Sequence, residues 1–342
     1  MEQVEITTEL PLLNEKGRLD VPGWARRPLW SYSRGSIRGL FTRIVESDRY
    51  ILLSEMAIVL VEVTNRGRMT YCSVQVTDLV HGTSLYDSFR LSTPLGYFEM
   101  PGAFEKGSIK IKQKNISIDF SLMIQGARLV KLDIPSFYKG TGLRGVVVLT
   151  PPGSGEPLAT AARWRRDNHA FRYAVRAPWY IAEGVLQVGN DEIIFTKDNG
   201  WGMVDWNRSL YPRGELHFLA LASGFSGGRQ VAMTIGYGME DNSAGTENAL
   251  FLDGRLYKLN QVTFRINPRD WTAPWRFTND TQQLEMDFQP VYEYRNKRSM
   301  FFQHQKERIV FGYFSGIFTQ PDSEPVRFYH IPGFAERIKT SL

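Results

Sequence analysis

Residues 108–134 read SIKIKQKNISIDFSLMIQGARLVKLDI, and this stretch decides the fold class. Two isoleucines alternate with lysines before a Lys-Asn turn, and apolar residues alternate with polar ones again from Ile116 to Leu122. A second short turn leads into an apolar run that ends at Ile134. Alternation with a period of two, interrupted by short polar turns, predicts antiparallel strands with one buried face.

Short apolar runs separated by turns extend from Tyr50 through most of the chain. In the second half, Asp253-Gly254 between two apolar runs is a strong two-residue hairpin signal. Helical periodicity is confined to residues 296–307 and 333–342, where we expect the few helices. Many short strands with regular turns predict an all-β fold built from antiparallel barrels or sandwiches.

The distribution of these runs predicts two lobes. A length of 342 residues is typical of two domains. We expect an irregular segment at 1–49 that packs on the lobes, a first β lobe at 50–178 and a second β lobe at 179–342. The boundary is placed near residues 176–182, at Arg176-Ala177-Pro178-Trp179, after the strand-like run at 171–175.

Cysteine content and hydropathy predict a cytoplasmic protein. Cys72 is the single cysteine, so no intramolecular disulfide can form, which is typical of a reducing compartment. The N-terminal residues lack a basic stretch followed by an apolar run, so we expect no secretory signal. The longest apolar stretch, 51–63, contains Glu55 and Glu62 and is shorter than the roughly 20 residues of a membrane helix, so we expect no membrane span.

The charge balance is mildly basic. The formal net charge is +5, and basic residues cluster at 163–166 and 295–298 without forming a long arm. Nucleic-acid binders usually carry a stronger patch or a recognisable module, so we expect no nucleic-acid partner. We interpret the clusters as solvated basic faces, or as a surface that draws an anionic ligand towards a cleft.

Known cofactor and metal motifs do not fit the sequence. Residues 140–145 match G-x-G-x-x-G, but a β run follows where a dinucleotide site needs a helix, so we predict a glycine-rich turn. The five histidines are widely separated, and H-E-x-x-H does not occur. We therefore expect no cofactor and no metal ion.

The segment DWNRSLYPR, which begins at Asp205, is the strongest candidate for a functional site. In an extended conformation Asp205 and Asn207 share one face, while Trp206 and Arg208 share the other. An aromatic ring beside a guanidinium group suits stacking or a cation–π contact. Two interpretations remain open: a ligand site, or a structural corner in which Asp205 pairs with Arg208 or Arg213.

A second candidate site lies at Glu247 and Asn248, between a glycine-rich loop and an apolar run. A carboxylate at the mouth of a strand could act as a general acid or base if its pKa is raised. The alternative is a carboxylate that only caps a turn.

Several segments together resemble the domain-of-unknown-function family 2804. Each match is short, and their shared order along nearly the whole chain carries the resemblance. They are the G-W-x-R-x-P-L segment at 23–29, the D-W segment at 205–213, Ala-Ser-Gly at 222–224, Glu-Asn at 247–248, the hairpin at 252–256, the p-W-R-I-like element at 274–277 and F-G-x-x-S-G at 311–316.

The central segment departs from the family pattern at six positions. Glycines are replaced by Asn207 and Ser209, a Trp and a Tyr by Tyr211 and Arg213, and two tryptophans of the next strand by His217 and Leu219. If these positions line a pocket, we expect this member to hold a smaller or more polar ligand than its relatives, or to have lost an ancestral activity.

The family resembles, more distantly, two-domain lipocalin-like proteins that include carotenoid hydratases and tocopherol cyclases. The resemblance implies two antiparallel barrels with a cavity near their interface, and an eight-stranded barrel is wide enough for one small ligand. It also implies cofactor-free, acid-catalysed additions or cyclisations on isoprenoid chains. Fold transfers over such distances more safely than function.

The sequence leaves three functions open, and each requires a different structural feature. The first is binding of a hydrophobic or amphiphilic small molecule, which needs a closed apolar cavity. The second is a cofactor-free hydratase, isomerase or cyclase acting on a lipid or isoprenoid-like substrate, which needs a buried carboxylate with a perturbed pKa facing the cavity. The third is a protein-interaction scaffold, which needs a filled interior and an exposed apolar patch.

For the enzyme, the expected catalytic acid is Asp205 or Glu247. In this scheme Arg208 steadies an anionic group, while Trp206 and Tyr211 stabilise cationic character in the substrate. The full set of expected ligand-binding residues is Trp206, Arg208, Tyr211, Arg213, His217, Asn248 and Trp24.

Overall fold

The chain is nearly all β-strand, which confirms the predicted fold class. A computed structural model describes residues 3–67, 69–92, 98–212, 214–238, 240–300, 303–320 and 324–341. Helix in these ranges is limited to the four-residue α1, Phe137–Gly140, and 3-10 turns at Arg34–Ser36, Phe41–Arg43 and Ile124–Gly126. Within the same ranges, no helix combines the length and apolar character needed to span a membrane.

The first lobe is a nearly closed, barrel-like antiparallel sheet. Its strands are β2 (Gly23–Ala25), β4 (Ile44–Leu53), β5 (Ala57–Arg66), β6 (Met69–Asp78), β7 (Thr83–Leu91), β8 (Ile109–Gln113), β9 (Ile116–Leu122), β10 (Arg128–Ile134), β11 (Leu143–Thr150), β12 (Leu158–Trp164), β13 (Asp167–Val188), β14 (Asp191–Phe195) and β15 (Trp201–Leu210). The main path runs β7-β6-β5-β4-β15-β13-β11-β10-β9-β8, with β12 and β14 also on β13 and β2 on β12.

The N-terminal segment packs across both lobes. Its β1 (Leu10–Pro11) pairs in parallel with β3 (Trp30–Ser31). Gln3 donates to the carbonyl of Leu259 at 3.0 Å, and the guanidinium of Arg26 pairs with Glu156 at 2.9 Å. The segment therefore joins the first lobe to a hairpin of the second.

The second lobe is a half-barrel sheet. Its strands are β16 (Glu215–Ser226), β17 (Arg229–Gly238), β18 (Ala249–Leu252), β19 (Arg255–Lys258), β20 (Val262–Arg265), β21 (Trp275–Asn279), β22 (Leu284–Met300), β23 (Gln303–Phe318) and β24 (Val326–Ser341). They follow the order β19-β18-β17-β16-β24-β23-β22-β21-β20.

The meander and the turns follow the sequence pattern. Strands β8, β9 and β10 pair in succession, and Ile116, Ile118 and Phe120 of β9 point into the core. Asp253 and Gly254 both have positive φ, 50° and 81°, as the hairpin between β18 and β19 requires. The first half of the glycine-rich segment, 140–142, forms the predicted turn, whereas 143–145 already belong to β11.

The chain passes from the first sheet to the second between β15 and β16, after Leu210. The expected boundary at 178–179 falls inside β13, which runs on to Val188. Proline usually interrupts a strand, but Pro178 lies where the register with β15 shifts between Ala177 and Tyr180. The hydrogen bond that proline cannot donate therefore falls at the register shift, and β13 continues beyond it.

The two predicted helices are wrong. Residues 296–300 and 303–307 belong to β22 and β23, and 333–341 belong to β24. In β24, Phe334 packs between the lobes while Ala335 packs inside the second lobe. Both faces of the strand are therefore buried at this point, and the period-two signal disappears from the sequence.

Three apolar clusters hold the molecule together. One fills the first lobe around Phe120 and Val175, and a second fills the second lobe around Trp275 and Phe288. The third joins the two sheets, and its members include Ile51, Leu60, Trp201, Leu219, Leu221, Ile309, Phe311 and Phe334. This interface forms the apolar end of the cleft described next.

Candidate functional site

A cleft between the two lobes collects three of the candidate residues, Asp205, Tyr211 and His217. One wall consists of the faces of β4–β7, β13 and β15 that point away from the first core, and the other of β16, β23 and β24. The cleft contains about 1380 Å³ of empty space, including the solvent at its open side. It combines apolar side chains such as Leu60 and Ile309 with hydroxyl, amide and charged groups.

Arg176 is the centre of the charged network in this cleft. It lies opposite Asp205 in the pairing of β13 with β15. Its Nε donates to Oδ1 of Asp205 at 3.1 Å, and its Nη1 donates to Oε1 of Glu247 at 2.9 Å. One guanidinium group therefore holds the two carboxylates that were expected to be catalytic.

His217 and Glu247 form a close polar contact in the site. Nε2 of His217 lies 2.5 Å from Oε2 of Glu247, and both residues are buried. Burial opposes the charge on Glu247, but Arg176, His217 and Arg172 outweigh burial and hold the pKa of this carboxyl well below its usual value of 4.5. Glu247 is therefore a carboxylate at neutral pH, and its pKa shift is opposite to the one that a general acid needs.

Arg49 carries the network to the other side of the cleft. It lies opposite Asp205 in the pairing of β15 with β4. Its Nη1 lies 3.0 Å from both carboxylate oxygens of Glu336 in the second lobe, and its Nη2 lies 3.6 Å from Glu62. This buried pair ties the two lobes together across the cleft.

The central segment divides its side chains between two environments, as the strand alternation predicted. Asp205 and Asn207 line the cleft, together with Tyr211 from the end of the segment. Trp206 and Arg208 point into the first lobe, where the guanidinium carbon of Arg208 lies 4.0 Å from the Trp206 ring centre. The cation–π contact exists, but it belongs to a different cavity from Asp205.

The inward pair lies beside a second, aromatic cavity. Trp206 and Tyr173 line it, together with Trp30 and Tyr32 from the N-terminal segment and Phe104 from the connection between β7 and β8. Tyr173 packs edge-on against both Trp30 and Trp206, at centroid distances of 5.7 Å and 5.3 Å. The Trp206 indole N–H is buried and has no hydrogen-bond partner among the described residues.

Arg208 is bound to a buried carboxyl group in the first lobe. Its Nη1 donates to Oδ1 of Asp48 at 2.7 Å, and its Nη2 donates to the carbonyl of Pro101 at 2.7 Å. Burial dominates at Asp48 and raises its pKa above the usual 3.8, although Arg208 and Arg128 oppose the shift.

Besides Trp206 and Arg208, the expected ligand residues Trp24 and Asn248 do not line the cleft. Trp24 pairs with Thr160 at the junction of β2 and β12 and is buried there. The Asn248 side chain accepts from the Gly236 N–H at 2.7 Å and donates to the Asn260 carbonyl at 2.7 Å, so it fixes the backbone. Arg213 lies outside the described residues.

The arginines of the site were missed by the sequence analysis. Arg49 and Glu336 have charged neighbours in the sequence, whereas Arg172, Arg176 and Glu62 each stand between apolar residues of a strand. Isolated charges in such strands are rarely buried unless they are paired. That feature could have marked them, although only the pairing of β4, β13 and β15 shows that they converge.

The described ranges contain no cluster of side chains that could bind a metal ion. No group of three or more His, Cys, Asp or Glu side chains there is arranged to hold an ion.

Two antiparallel β lobes with a charged cleft between them define a two-lobed, lipocalin-like protein. The chain belongs to the family described as domain of unknown function DUF2804, whose model matches residues 3–341. No curated protein matches the sequence.

The fold is similar to solved structures of three proteins. A protein described as AttH from Nitrosomonas europaea is 12% identical with a TM-score of 0.53, over 89% of this chain and 94% of that one. Kievitone hydratase from Nectria haematococca is 13% identical with a TM-score of 0.54, over 88% and 92%. CghA, solved with Sch210972, is 12% identical with a TM-score of 0.53, over 88% and 89%. At these identities the likeness shows the fold.

Proposed function

We propose that the chain is a cofactor-free enzyme that transfers a proton to or from a small amphiphilic molecule in the inter-lobe cleft, in the manner of a hydratase, isomerase or cyclase. The observation that carries the proposal is the 2.5 Å contact between Glu247 and His217, which lines the cleft. A carboxylate that orients an imidazole is a recurrent arrangement for general acid–base catalysis.

In this proposal His217 moves the proton and Glu247 positions it. Glu247 is fixed by Arg176 at 2.9 Å and stays ionised, so it orients the imidazole and stabilises the imidazolium form. One ring nitrogen of His217 is engaged by Glu247, so the other is the one that exchanges a proton with the ligand. Asp205, held by the same Arg176, supports positive charge that develops on the substrate.

The cleft favours an enzyme over a carrier or a scaffold. A carrier for a lipid needs an apolar cavity, whereas this cleft brings buried carboxylates and arginines to one place. Charged groups in a buried site cost folding free energy, and active sites are where such arrangements are concentrated. The perturbed pKa of Glu247 adds to this argument.

The lining of the cleft supports an amphiphilic and rather polar substrate. Ser47, Ser73 and Ser88 lie along the wall formed by β4, β6 and β7, facing Leu219 and Ile309. Asn207 and His217 line the same space, at positions where the family pattern has smaller or apolar residues. A hydratase among the similar folds supports the reaction class, since addition of water needs proton transfer.

A second candidate function is ligand binding without catalysis in the aromatic cavity of the first lobe. The cavity contains about 1020 Å³ of empty space, including the solvent at its open side, between Trp206, Tyr173 and the N-terminal segment. Its aromatic lining and the free Trp206 N–H suit a flat apolar molecule with one hydrogen-bond acceptor.

The test begins with native mass spectrometry of the purified protein and organic extraction of any bound molecule. The extracted molecule is then incubated with the protein in deuterated water, and its mass is followed. We expect deuterium incorporation by the wild type and by His169→Gln, a control outside the cleft. His217→Gln and Asp205→Asn should fold normally and lose incorporation.

Retention of incorporation in His217→Gln would refute the proton-transfer role of this residue. Binding without incorporation, lost in Trp206→Ala and kept in His217→Gln, would support the carrier function in the first lobe.

A further inference from the structure

Six cationic side chains line up on one face of β22, β23 and β24. The strand pairing places Arg308 between Arg295 and Arg337, and places Lys306 between Lys297 and Lys339. Paired residues, and residues two apart in one strand, point to the same side of a sheet. The six side chains therefore form one array, three strands wide and two residues long, which we call the cationic array.

The cationic array lies on the opposite face from the inter-lobe cleft. Val310 and Ala335, which share its face, belong to the core of the second lobe. Glu307 and Glu336, on the alternate positions, line the cleft. The array therefore continues the inner face of the second lobe, beyond the point where its apolar core ends.

The array is poorly neutralised. Like charges directly opposite one another on neighbouring strands destabilise a sheet. Glu293 pairs with Arg295 at 2.7 Å and with Arg308 at 3.0 Å. Among the described residues, it is the carboxylate that forms ion pairs with members of the array. Burial lowers the pKa of Arg308, and Arg295 and Arg337 lower it further against the effect of Glu293.

Aromatic side chains back the array on one side. The guanidinium carbons of Arg308 and Arg337 lie 4.6 Å and 5.0 Å from the Trp271 ring centre. Across the sheet, Phe218 pairs with Arg337 and stacks on Tyr237 at 4.7 Å. The Trp271 ring holds the guanidinium groups of Arg308 and Arg337 close together, so these two cations do not separate to relieve their repulsion.

One donor of the array is unused. Nε of Arg337 is buried and has no hydrogen-bond partner among the described residues. A buried guanidinium N–H without an acceptor is costly, and an oxyanion is the acceptor that suits it best.

We propose that the cationic array binds a small molecule or headgroup that carries two or more adjacent phosphate groups. Neighbouring strands are about 4.8 Å apart and same-face residues about 7 Å apart, so the array covers roughly 10 Å by 7 Å. That area fits linked or vicinal phosphates. The extended track of a nucleic-acid backbone needs a longer row of cations.

The experiment measures tripolyphosphate binding to the full chain by isothermal titration calorimetry at low and moderate salt. We expect salt-sensitive binding that Lys306→Gln/Lys339→Gln weakens at least tenfold. Both lysines are exposed, and their removal relieves repulsion, so the variant should unfold at the same or a higher temperature. The control is Arg165→Gln/Arg166→Gln, which removes two exposed cations elsewhere.

A second arm separates the two sources of phosphate. Phosphatidylcholine vesicles with and without phosphatidylinositol bisphosphate are sedimented with the protein. Binding to tripolyphosphate alone assigns a free polyphosphate, and array-dependent binding to the phosphorylated vesicles assigns a headgroup. Binding to neither, or equal weakening by the control variant, would overturn the proposal.

Discussion

Two buried carboxyl groups on either side of β15 have opposite pKa shifts. In the cleft, the pKa of Glu247 is held well below its usual value. Inside the first lobe, the pKa of Asp48 is raised above its usual value. Both residues are buried and both contact an arginine, so neither burial nor one ion pair explains the difference.

The difference comes from the charges around each group. Glu247 has Arg176 at 2.9 Å, His217 at 2.5 Å and Arg172 at 3.9 Å, and these outweigh burial. Asp48 has Arg208 at 2.7 Å, but burial dominates and the nearby Glu46 also raises its pKa. The number of cations near a buried carboxyl group therefore decides whether it is ionised. This is why we propose the cleft, rather than the interior of the first lobe, as the site of proton transfer.

Replacing Glu247 should have the largest effect on stability. Glu247→Gln leaves Arg176 and Arg172 with an excess of buried positive charge, which costs about 3–5 kcal/mol for a broken buried pair. Asp48→Asn, the matched substitution, replaces a group that is already inclined to be neutral and should cost only about 1 kcal/mol. Urea unfolding of the two variants measures the difference. Equal losses would contradict the comparison.

Breaking the contact between the lobes should have an intermediate effect. Glu336→Gln removes the partner of Arg49, but Glu62 at 3.6 Å still offers compensation. We expect a loss of about 1–3 kcal/mol in the free energy of unfolding. If the variant unfolds in two separate transitions, the pair is also needed for cooperativity between the lobes. No loss would mean that the pair is solvated.

The pH dependence of stability should differ in sign between the two carboxyl groups. Below 4.5 the unfolded state binds more protons at Glu247 than the folded state, so this contribution is present above 4.5 and is lost as pH falls through the lower folded pKa. Above 3.8 the folded state binds more protons at Asp48, so that contribution declines as pH rises to the higher folded pKa.

These opposite slopes can be measured from unfolding free energies across the acid range. Glu247→Gln should flatten the loss of stability on acidification, and Asp48→Asn should remove the decline on the way to neutral pH. Each unit of pKa shift corresponds to about 1.4 kcal/mol. The same slope change in both variants would refute the assignment.

The smallest effect is expected at the rim of the cleft. Asn207 lines the cleft, and its side chain contacts only the hydroxyl of Ser209 among the described residues. Asn207→Ala should change the free energy of unfolding by no more than about 0.5 kcal/mol. The same variant should change the affinity for a cleft ligand. A large loss of stability would show that Asn207 is structural.

Local patterns predicted much of the fold. The alternation at β8–β10, the Asp253-Gly254 hairpin and the glycine turn at 140–142 depend on neighbouring residues, and each is present. Residues 333–341 were misassigned because β24 is buried on both faces and loses its alternation. Pro178 is accommodated by a register shift between β13 and β15, and no feature of the sequence predicts this shift.

The candidate site was predictable only in part. The alternation of Asp205 and Trp206 between two faces follows from strand geometry. The convergence of Arg176, Glu247 and His217 depends on the pairing of β13 with β15 and on the docking of the second lobe. The cationic array is similar, because the cluster at 295–298 gains partners only when β22, β23 and β24 pair.

The most direct test of the proton-transfer site is a carbon NMR titration of the Glu247 side-chain carboxyl group, assigned by its absence in Glu247→Gln. The account predicts that this carboxyl group stays ionised well below 4.5, since Arg176, His217 and Arg172 surround it. Protonation at or above 4.5 would contradict the account, because Glu247 could not then orient His217 as a carboxylate.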